Sequence, residues 1–403
     1  MTVHSTLVPL TGESAPQLDI LPEKKAPKAK RAAEAIPILR PQLPSTSDIL
    51  PYLQAIDSRR WYSNYGPLVQ QLEQELSKRL GARDHTLVTV SNATAGITAA
   101  LLALGLKQGA LCLMPSWTFA ATPHAAKAAG LTPMFHDVER GTWALNPEQV
   151  RETLRKGYAV EAVVVVSPFG APLRLKAWQQ FQDETGVRVV IDAAAGFDTV
   201  TASVLPSVVS LHATKVFAAG EGGFVLSTDA ELGHRVRSCC NFGFQNSRVA
   251  LCSGFNAKMS EYHAAVALAS LARWPFFRLK HLKIMEWYTQ ALARIPGVAL
   301  HPGYGEGWAT GTTSVILPSA SAPQVAALLL RSGVETRSWW GQGCHVQPAF
   351  AGCPRGELPV TEDLGGRVLG LPHYPDLEEE DVWHIATVLA HALRSLGGRR
   401  QAS

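Results

Sequence analysis

The stretch VSLHATK at residues 209–215 runs into the glycine-rich turn GEGG at residues 220–223. Its apolar start is typical of a buried strand, and the small residues that follow are typical of a turn. Lys215 therefore lies just past the end of a buried strand. Burial disfavours the charged form of a lysine, so an amine in this position can lose its proton and attack a carbonyl carbon.

A carboxylate ends the preceding apolar strand. The letters VVID at residues 189–192 place Asp192 at the carboxyl edge of the sheet, where open α/β sheets bind ligands. An aspartate and a lysine in this arrangement are the pair that pyridoxal phosphate requires. The lysine holds the cofactor as a Schiff base, and the aspartate keeps the pyridine nitrogen protonated. Unit charges about 4 Å apart, at an effective dielectric of about 20, attract by ~4 kcal/mol, which shifts the pKa of the nitrogen by roughly three units.

Each of these residues alone has a simpler interpretation. Asp192 could cap a following helix, and Lys215 could be a solvated loop lysine. Their joint placement, with Ser210 and the glycine-rich turn beside them, favours the cofactor site.

A third segment predicts a phosphate site. Residues 86–90 (TLVTV) read as a strand, and residues 91–96 (SNATAG) turn into a helix pattern at 97–104. The free N–H groups and positive dipole end of such a helix favour a dianionic phosphate, and the Thr94 hydroxyl adds a donor. An ordinary turn capped by Asn92 or Thr94 would carry the same letters.

By these and other motifs the chain resembles the DegT/DnrJ/EryC1/StrS family, the aminotransferases of nucleotide-sugar and related antibiotic-sugar pathways. The resemblance runs from about Trp61 to Ala390. Its motifs are NYGP at 64–67 with Glu73, NATAG at 92–96, PSWTFAAT at 115–122, DV at 137–138, DAA at 192–194, residues 210–215, GFNAKMSE at 254–261, ETR at 335–337 and LPVTE at 358–362.

The resemblance assigns roles to individual residues. It implies that Lys215 is the Schiff-base lysine, that Asp192 is the partner of the ring nitrogen, and that the phosphate ligands are Thr94, Ala95 and Ser210. One position departs from the family, which usually has a glutamine three residues after the aspartate, where this chain has Ala195. A side-chain donor to the ring hydroxyl is therefore missing. The lysine itself argues against the dehydratase branch, in which histidine replaces it.

Two further roles follow from the resemblance. Phe119 would stack on the cofactor ring, worth about 0.5–1.5 kcal/mol beyond burial, although core packing would also explain it. Asn256 would reach the phosphate of the neighbouring subunit, which implies a homodimer with shared active sites; a turn before Ser260 is the simpler alternative. An alanine-rich face on the next helix suits the close packing of such a dimer, and comprises Ala264, Ala265, Ala267 and Ala269.

The expected function is that of a PLP-dependent aminotransferase. It would move an amino group, with glutamate as the expected donor, to a keto group of a nucleotide-linked sugar for surface polysaccharide or secondary-metabolite biosynthesis. Substrate contacts are predicted less sharply, because a surface arginine and packed tryptophans explain Arg337, Trp339, Trp340 and His345 equally well. The alternatives are a cyclitol aminotransferase, a sugar dehydratase that keeps the lysine, and a non-catalytic PLP-binding regulator. A regulator should carry a DNA-binding module, and none is visible in the sequence.

Apolar runs alternate with helix patterns from about residue 60 to 230, which predicts an α/β fold with a mostly parallel sheet. Helices are expected at 260–272 and 276–294, and strands near 313–317 and 335–338. This resembles the PLP-dependent transferase fold type I. The predicted domains are a disordered basic arm at 1–44, a large PLP-binding domain at 45–275 and a small C-terminal α+β domain at 276–403.

Composition agrees with an enzyme of this kind. The 403 residues are 46% hydrophobic and 17% charged, with a formal charge of +4. Much of the positive charge lies at residues 23–31, so no nucleic-acid groove is expected, and the apolar runs are too short to span a bilayer. The spacing of the cysteines fits neither a zinc site nor a disulfide framework, which indicates reduced thiols in a cytoplasmic protein without a metal. They are Cys112, Cys239, Cys240, Cys252, Cys344 and Cys353.

Overall fold

The computed structural model describes residues 35–82, 86–318 and 321–400. Most of the predicted arm, residues 1–34, lies outside these ranges. Its last part, residues 35–44, belongs to the folded body. The Ile36 amide donates to the Gly333 carbonyl at 2.7 Å, the Glu335 amide donates to the Ile36 carbonyl at 3.0 Å, and the Ile38 side chain is buried. Folded structure therefore begins before the predicted boundary at residue 45.

The larger sheet is mostly parallel, as predicted. Its strands are β1 (Leu87–Val90), β2 (Leu111–Pro115), β3 (Thr132–His136), β4 (Val160–Val166), β5 (Arg188–Asp192), β6 (Ser207–Ser210) and β7 (Gly223–Leu226). They lie in the order β1-β7-β6-β5-β4-β2-β3, and only β7 runs antiparallel to its neighbours. The strands are rich in β-branched residues because both faces of a parallel sheet are covered.

Alternate residues of the central strands enter two separate cores. Val163, Val165 and Val189 belong to one core, and Val164 and Val190 belong to the other. Helices cover both faces, and this layering confirms the predicted α/β class. The helices of this part are α1 (Thr46–Arg59), α2 (Pro67–Leu80), α3 (Ala93–Ala103), α4 (Ala121–Ala128), α5 (Pro147–Arg155), α6 (Leu175–Thr185) and α7 (Ala230–Cys239).

One long helix, α8 (Glu261–Leu292), follows where two helices were predicted. Pro275 lies inside it. A proline removes one backbone hydrogen bond, but Trp274 and His281 are buried on either side, and their packing keeps the helix continuous. The predicted domain boundary at 275/276 therefore falls within an unbroken helix, and the division into two domains stays a prediction.

A second, antiparallel sheet follows α8. It contains β8 (Ala299–Leu300), β9 (Thr313–Ile316) and β10 (Val368–Leu371), in the order β10-β9-β8, and it packs with α9 (Ala322–Arg331), α10 (Pro359–Arg367) and α11 (Glu379–Arg400). The strand expected at 335–338 was wrong. Arg337 forms only an isolated bridge to Gly370, because the Trp339 side chain lies against that glycine and a regular ladder does not continue.

The alanine-rich face of α8 was also misassigned. Those alanines are buried in this chain's own core, with exposures of 0–3%, so they are not available for packing against another subunit.

A buried carboxylate at the start of α8 is hydrogen-bonded to the start of α2. Glu261, which is 1% exposed, accepts hydrogen bonds from the Leu68 and Val69 amides at 2.9 Å each. These amides lie in the first turn of α2, whose N-cap residue Gly66 has no side chain to cap them. The negative charge also lies next to the positive dipole end of that helix, which is a stabilising arrangement. A Cβ atom at Gly66 would lie 2.6 Å from the Glu261 carboxyl carbon, so the contact requires glycine there.

Replacing this carboxylate should destabilise the protein. Glu261→Gln keeps one acceptor but turns an amide NH₂ towards the second backbone donor, which should lower the free energy of unfolding by about 1–3 kcal/mol. The matched control is Glu286→Gln, on the exposed part of α8, where the carboxylate pairs only with surface groups and the change should be below about 0.5 kcal/mol. Urea unfolding of both variants measures the difference, and equal losses would contradict the capping role.

Candidate active site

The register of the larger sheet brings the predicted site residues to one edge. Val90 and Ser210 both pair with Gly223, which starts β7, and Asp192 pairs with Val208 two residues before the end of β6. The ends of β1, β5 and β6 therefore meet at the start of β7. This is the edge where open α/β sheets bind ligands.

Asp192 is held at this edge by two donors. It is 6% exposed, and its carboxylate accepts hydrogen bonds from the Thr122 hydroxyl at 2.7 Å and the Ala194 amide at 3.1 Å. Burial raises the pKa of Asp192, while these hydrogen bonds and the charge of Lys215 oppose that rise. The carboxylate is thus oriented, but it lacks a cation in direct contact among the described residues.

Thr122 is the functional residue that the sequence analysis missed. Its hydroxyl also contacts the Thr118 hydroxyl at 2.9 Å, and both threonines are buried. With Asp192 ionised, Thr118 donates to Thr122 and Thr122 donates to Asp192. The signal in the sequence was the four-residue spacing of the two threonines in PSWTFAAT, which places Thr118 just before α4 and Thr122 in its first turn.

Lys215 lies in a tightly closed loop between β6 and β7. The Leu211 amide donates to the Gly222 carbonyl at 2.9 Å and the Ala213 amide donates to the Gly220 carbonyl at 2.8 Å. Gly220 and Gly222 have positive φ values of 84° and 142°, which other residues rarely adopt. Desolvation lowers the pKa of the Lys215 amine, and Asp192 partly opposes this effect. Desolvation in this loop therefore favours the neutral form of the Lys215 amine more than exposure to water would.

The turn before α3 has the form of an anion site. Asn92 caps the helix by accepting a hydrogen bond from the Ala95 amide at 2.9 Å. The Ala93 and Thr94 amides have no hydrogen-bond acceptor among the described residues, so they remain available to a ligand. A Cβ atom at Gly223 would lie 3.1 Å from the Ala93 nitrogen, so the strand and the helix end approach closely only because residue 223 is glycine.

Phe119 and Asn256 are both exposed in the single chain. Phe119, at 64% exposure, does not pack in the core, so the core-packing alternative is wrong. Asn256 pairs through its backbone with Asn241 in a loop after α7. The helix α8 is capped by Ser260, whose hydroxyl accepts from the His263 amide, and not by Asn256.

The remaining candidates lie in and beside an aromatic cluster. Trp340 stacks on Phe169, with ring centres 4.4 Å apart, and meets Trp117 edge-on at 5.4 Å. His345 is buried and its Nδ1 contacts the Ser116 hydroxyl at 2.7 Å. Arg337 is exposed and lies over the Trp339 ring. Packing thus accounts for most of these residues, while Arg337 remains free to meet a ligand.

The described residues contain no group of His, Cys, Asp or Glu side chains arranged to hold a metal ion. None of the helices in the described ranges is long and apolar enough to span a bilayer. All six cysteines are free.

Comparison with known proteins identifies the family. The model of the DegT/DnrJ/EryC1/StrS aminotransferase family matches residues 45–390, and the chain belongs to that family. Among its relatives, the dTDP-4-amino-4,6-dideoxy-D-glucose transaminase of Escherichia coli is 29% identical over 371 residues, which cover 88% of this chain and 98% of that protein.

Solved structures agree with this assignment. DesI, crystallised with its TDP-sugar product, is 33% identical with a TM-score of 0.82, and the match covers 92% of this chain and 97% of that one. NtdA of Bacillus subtilis, with bound cofactor PMP, is 24% identical with a TM-score of 0.79 over 91% and 87% of the two chains, and shares the fold. The predicted fold type I is confirmed, and the protein is a PLP-dependent aminotransferase.

The chain's own residues fit this cofactor. Three kinds of group lie along one sheet edge: a buried carboxylate, a desolvated lysine and two free helix-end amides. Pyridoxal phosphate requires a carboxylate for its ring nitrogen, a lysine for its aldehyde and N–H donors for its phosphate.

Removing the Thr122 hydroxyl should weaken cofactor binding. Thr122→Val leaves Asp192 with one donor fewer, so the pKa of Asp192 rises further and the carboxylate is less available to a cationic ring nitrogen. A hydrogen bond to a charged group is worth about 1.5–3 kcal/mol, so affinity should fall by roughly ten- to a hundredfold. Thr122→Ser keeps the hydroxyl and is the control. Titration of the cofactor-free protein with pyridoxal phosphate measures both, and an equal affinity for the two variants would contradict this role.

Proposed function

We propose that this enzyme transfers an amino group from an amino acid, with glutamate as the expected donor, to the keto carbon of a nucleotide-linked sugar. The observation that carries the proposal is the common placement of Lys215 and Asp192 at one sheet edge, beside a helix end with free amides. Similarity to DesI and to the E. coli transaminase over nearly the whole chain supports a nucleotide-sugar substrate. The pathway would be surface polysaccharide or secondary-metabolite biosynthesis, in the cytoplasm.

Lys215 acts as the covalent anchor and the proton carrier. Its lowered pKa leaves the amine neutral in a larger fraction of molecules, and a neutral amine can both bind a carbonyl and accept a proton. Once a donor amino acid displaces it, the freed amine takes the donor's α-proton. The backbone hydrogen bonds that close the loop from Leu211 to Gly222 would hold the amine in place beside a bound substrate. The same lysine returns a proton when the keto sugar is converted to an amine.

Asp192 sets the electronic state of the site. When bound, pyridoxal phosphate supplies an electron sink, which is deepest while its ring nitrogen is protonated. A carboxylate is suited to hold that proton, and the donors Thr122 and Ala194 keep it oriented and favour its ionised form against the effect of burial. Burial strengthens the attraction, because few water molecules screen it.

The three phosphate contacts that we propose within one chain lie on two neighbouring segments. Thr94 and Ala95 lie in the first turn of α3, and Ser210 ends β6; the Ala95 amide also donates to the Asn92 side chain, whereas the Thr94 amide is available. The Ser210 hydroxyl accepts from the His212 amide at 3.2 Å, so its own proton is free to donate to a phosphate oxygen. Phe119, exposed next to these segments, would cover the cofactor ring.

The fourth contact would come from another copy of the chain. Asn256 is exposed, and its loop carries the exposed apolar residues Phe242, Val249 and Leu251. Exposed apolar groups around a polar one are typical of a subunit interface. We therefore propose a homodimer in which each site borrows Asn256 from the partner.

The proposed reaction is tested by single-turnover assays. The purified holoenzyme should convert glutamate to 2-oxoglutarate and then aminate a dTDP-linked keto sugar, with the aminated product identified by mass spectrometry. Lys215→Ala should abolish both half-reactions, because the anchor and the proton carrier are lost; Lys176→Ala, on the exposed face of α6, should retain wild-type rates.

Three other results would redirect the proposal. Amination of a cyclitol ketone in place of the sugar would change the substrate class. Loss of water from the sugar without amine transfer would indicate a dehydratase. Bound cofactor with no turnover of any donor would favour a regulator.

The shared site is tested by mixing inactive variants. Lys215→Ala and an Asn256→Ala variant, combined in equal amounts, should recover about a quarter of the wild-type sites after random subunit exchange, since each mixed dimer has one site with both residues intact. Each variant alone, carried through the same exchange, is the control. No recovery after verified exchange would mean that Asn256 does not act in the partner's site.

A further inference from the structure

Two cysteines lie next to each other at the base of the loop that carries Asn256. Cys239 is the last residue of α7, and Cys252 lies in the loop that returns to it. Their sulfur atoms are 4.0 Å apart. A disulfide bond is about 2 Å long, so the two sulfurs are already near bonding distance.

The backbone around both cysteines is already held in place. The Phe255 amide donates to the Cys239 carbonyl at 2.8 Å, and the Leu251 amide donates to the Gly243 carbonyl at 2.9 Å. A Cβ atom at Gly243 would collide with the Cys252 backbone, and a Cβ atom at Gly254 would collide with the Gly243 and Cys239 backbone, so these segments are packed main chain against main chain. Closing the remaining gap therefore requires side-chain movement and little movement of the main chain.

The two thiols differ in access. Cys252 is exposed, whereas Cys239 is 1% exposed. Burial, together with the nearby Cys252, raises the pKa of Cys239 to about 12. A dissolved oxidant therefore meets Cys252 first, while Cys239 stays reduced until a neighbouring sulfur is activated.

We propose that Cys239 and Cys252 form a reversible disulfide when the protein meets a hydroperoxide. The Cys252 sulfur attacks the peroxide oxygen, the O–O bond breaks, and a sulfenic acid and one water are formed from hydrogen peroxide. The Cys239 sulfur then attacks the Cys252 sulfur. The S–S bond forms as the S–O bond breaks, and the departing hydroxide takes the Cys239 proton to form a second water.

The bond would fix the loop at the position from which Asn256 projects. Cys252 lies four residues before Asn256, and Asn256 pairs with Asn241, two residues after Cys239. A covalent link at this point reduces the motion of the paired segment. This consequence rests on the proposed role of Asn256 in the cofactor site, whereas formation of the disulfide does not.

The sequence offers a direct test, because Arg248 lies between the two cysteines. Reduced holoenzyme is treated with stoichiometric hydrogen peroxide, blocked with N-ethylmaleimide, and digested with trypsin. The digest should contain peptide 238–248, carrying one N-ethylmaleimide group on Cys240, joined to peptide 249–258. The joined mass should be two hydrogens below the sum of these two peptides, and the species should be in about tenfold excess over any other cysteine pairing. Dithiothreitol should separate the peptides.

Serine variants assign the bond to one sulfur pair. Cys252→Ser and Cys239→Ser should each abolish the joined peptides, whereas Cys240→Ser and Cys353→Ser should leave them unchanged. A non-reducing gel should show a single-chain species, which excludes a bond between subunits. Oxidation of Cys252 to sulfinic acid without any joined peptide would overturn the proposal. A joined peptide in which Cys240, and not Cys239, is bonded to Cys252 would also overturn it.

A second measurement separates the disulfide from its consequence. The rate of cofactor release is measured by diluting the holoenzyme into a protein that captures free cofactor and following the visible absorbance. Oxidation should slow this release by about threefold or more, because a tethered segment moves less. Dithiothreitol should restore the rate, and Cys252→Ser should not respond to peroxide. An unchanged rate in a protein that contains the disulfide would overturn the link to Asn256. It would leave the aminotransferase proposal untouched, since that depends on Lys215.

Discussion

The burial of one carboxylate governs this structure. An ionised aspartate removed from water costs several kcal/mol unless donors or a cation compensate it, and Asp192 has two hydrogen-bond donors and no cation in contact among the described residues. Its surroundings are therefore arranged for a charge that a ligand brings. The protonated ring nitrogen of the cofactor is such a charge. The charge of Asp192 is thus balanced by a cation in contact only when the cofactor is bound.

The same constraint explains the position of Lys215. If its ammonium group paired directly with Asp192, the pair would be stabilised and the amine would stay protonated. Asp192 ends strand β5, whereas Lys215 lies in the loop after β6, which is closed by its own backbone hydrogen bonds, so the amine is desolvated without being neutralised by a contact. A lysine held apart from the aspartate can serve as a nucleophile. The glycines of the loop make this geometry possible, because Gly222 has a φ of 142°.

Much of this could be predicted from the sequence. The strands of the larger sheet follow apolar runs, and the site residues at their ends follow from the topology of parallel sheets. What escaped prediction depends on tertiary contacts. Burial overrides the propensity of Pro275 to break a helix, and the packing of Trp339 on Gly370 prevents the expected strand at 335–338. Thr122 was missed because its partner, Asp192, lies seventy residues away in the chain.

Two residues of the family motifs are exposed to solvent in the single chain. Phe119 and Asn256 carry motif letters, yet neither is buried, and Asn256 lies among apolar side chains that water surrounds. In the homodimer that we propose, the partner subunit would cover the exposed side of each site, where Phe119 lies, and Asn256 would enter the partner's site. Because the alanine face of α8 is already used inside the chain, the proposed interface would use the loop that follows α7. The position of that loop, fixed at its base by the hydrogen bond from the Phe255 amide to the Cys239 carbonyl, would then determine how each proposed site is closed.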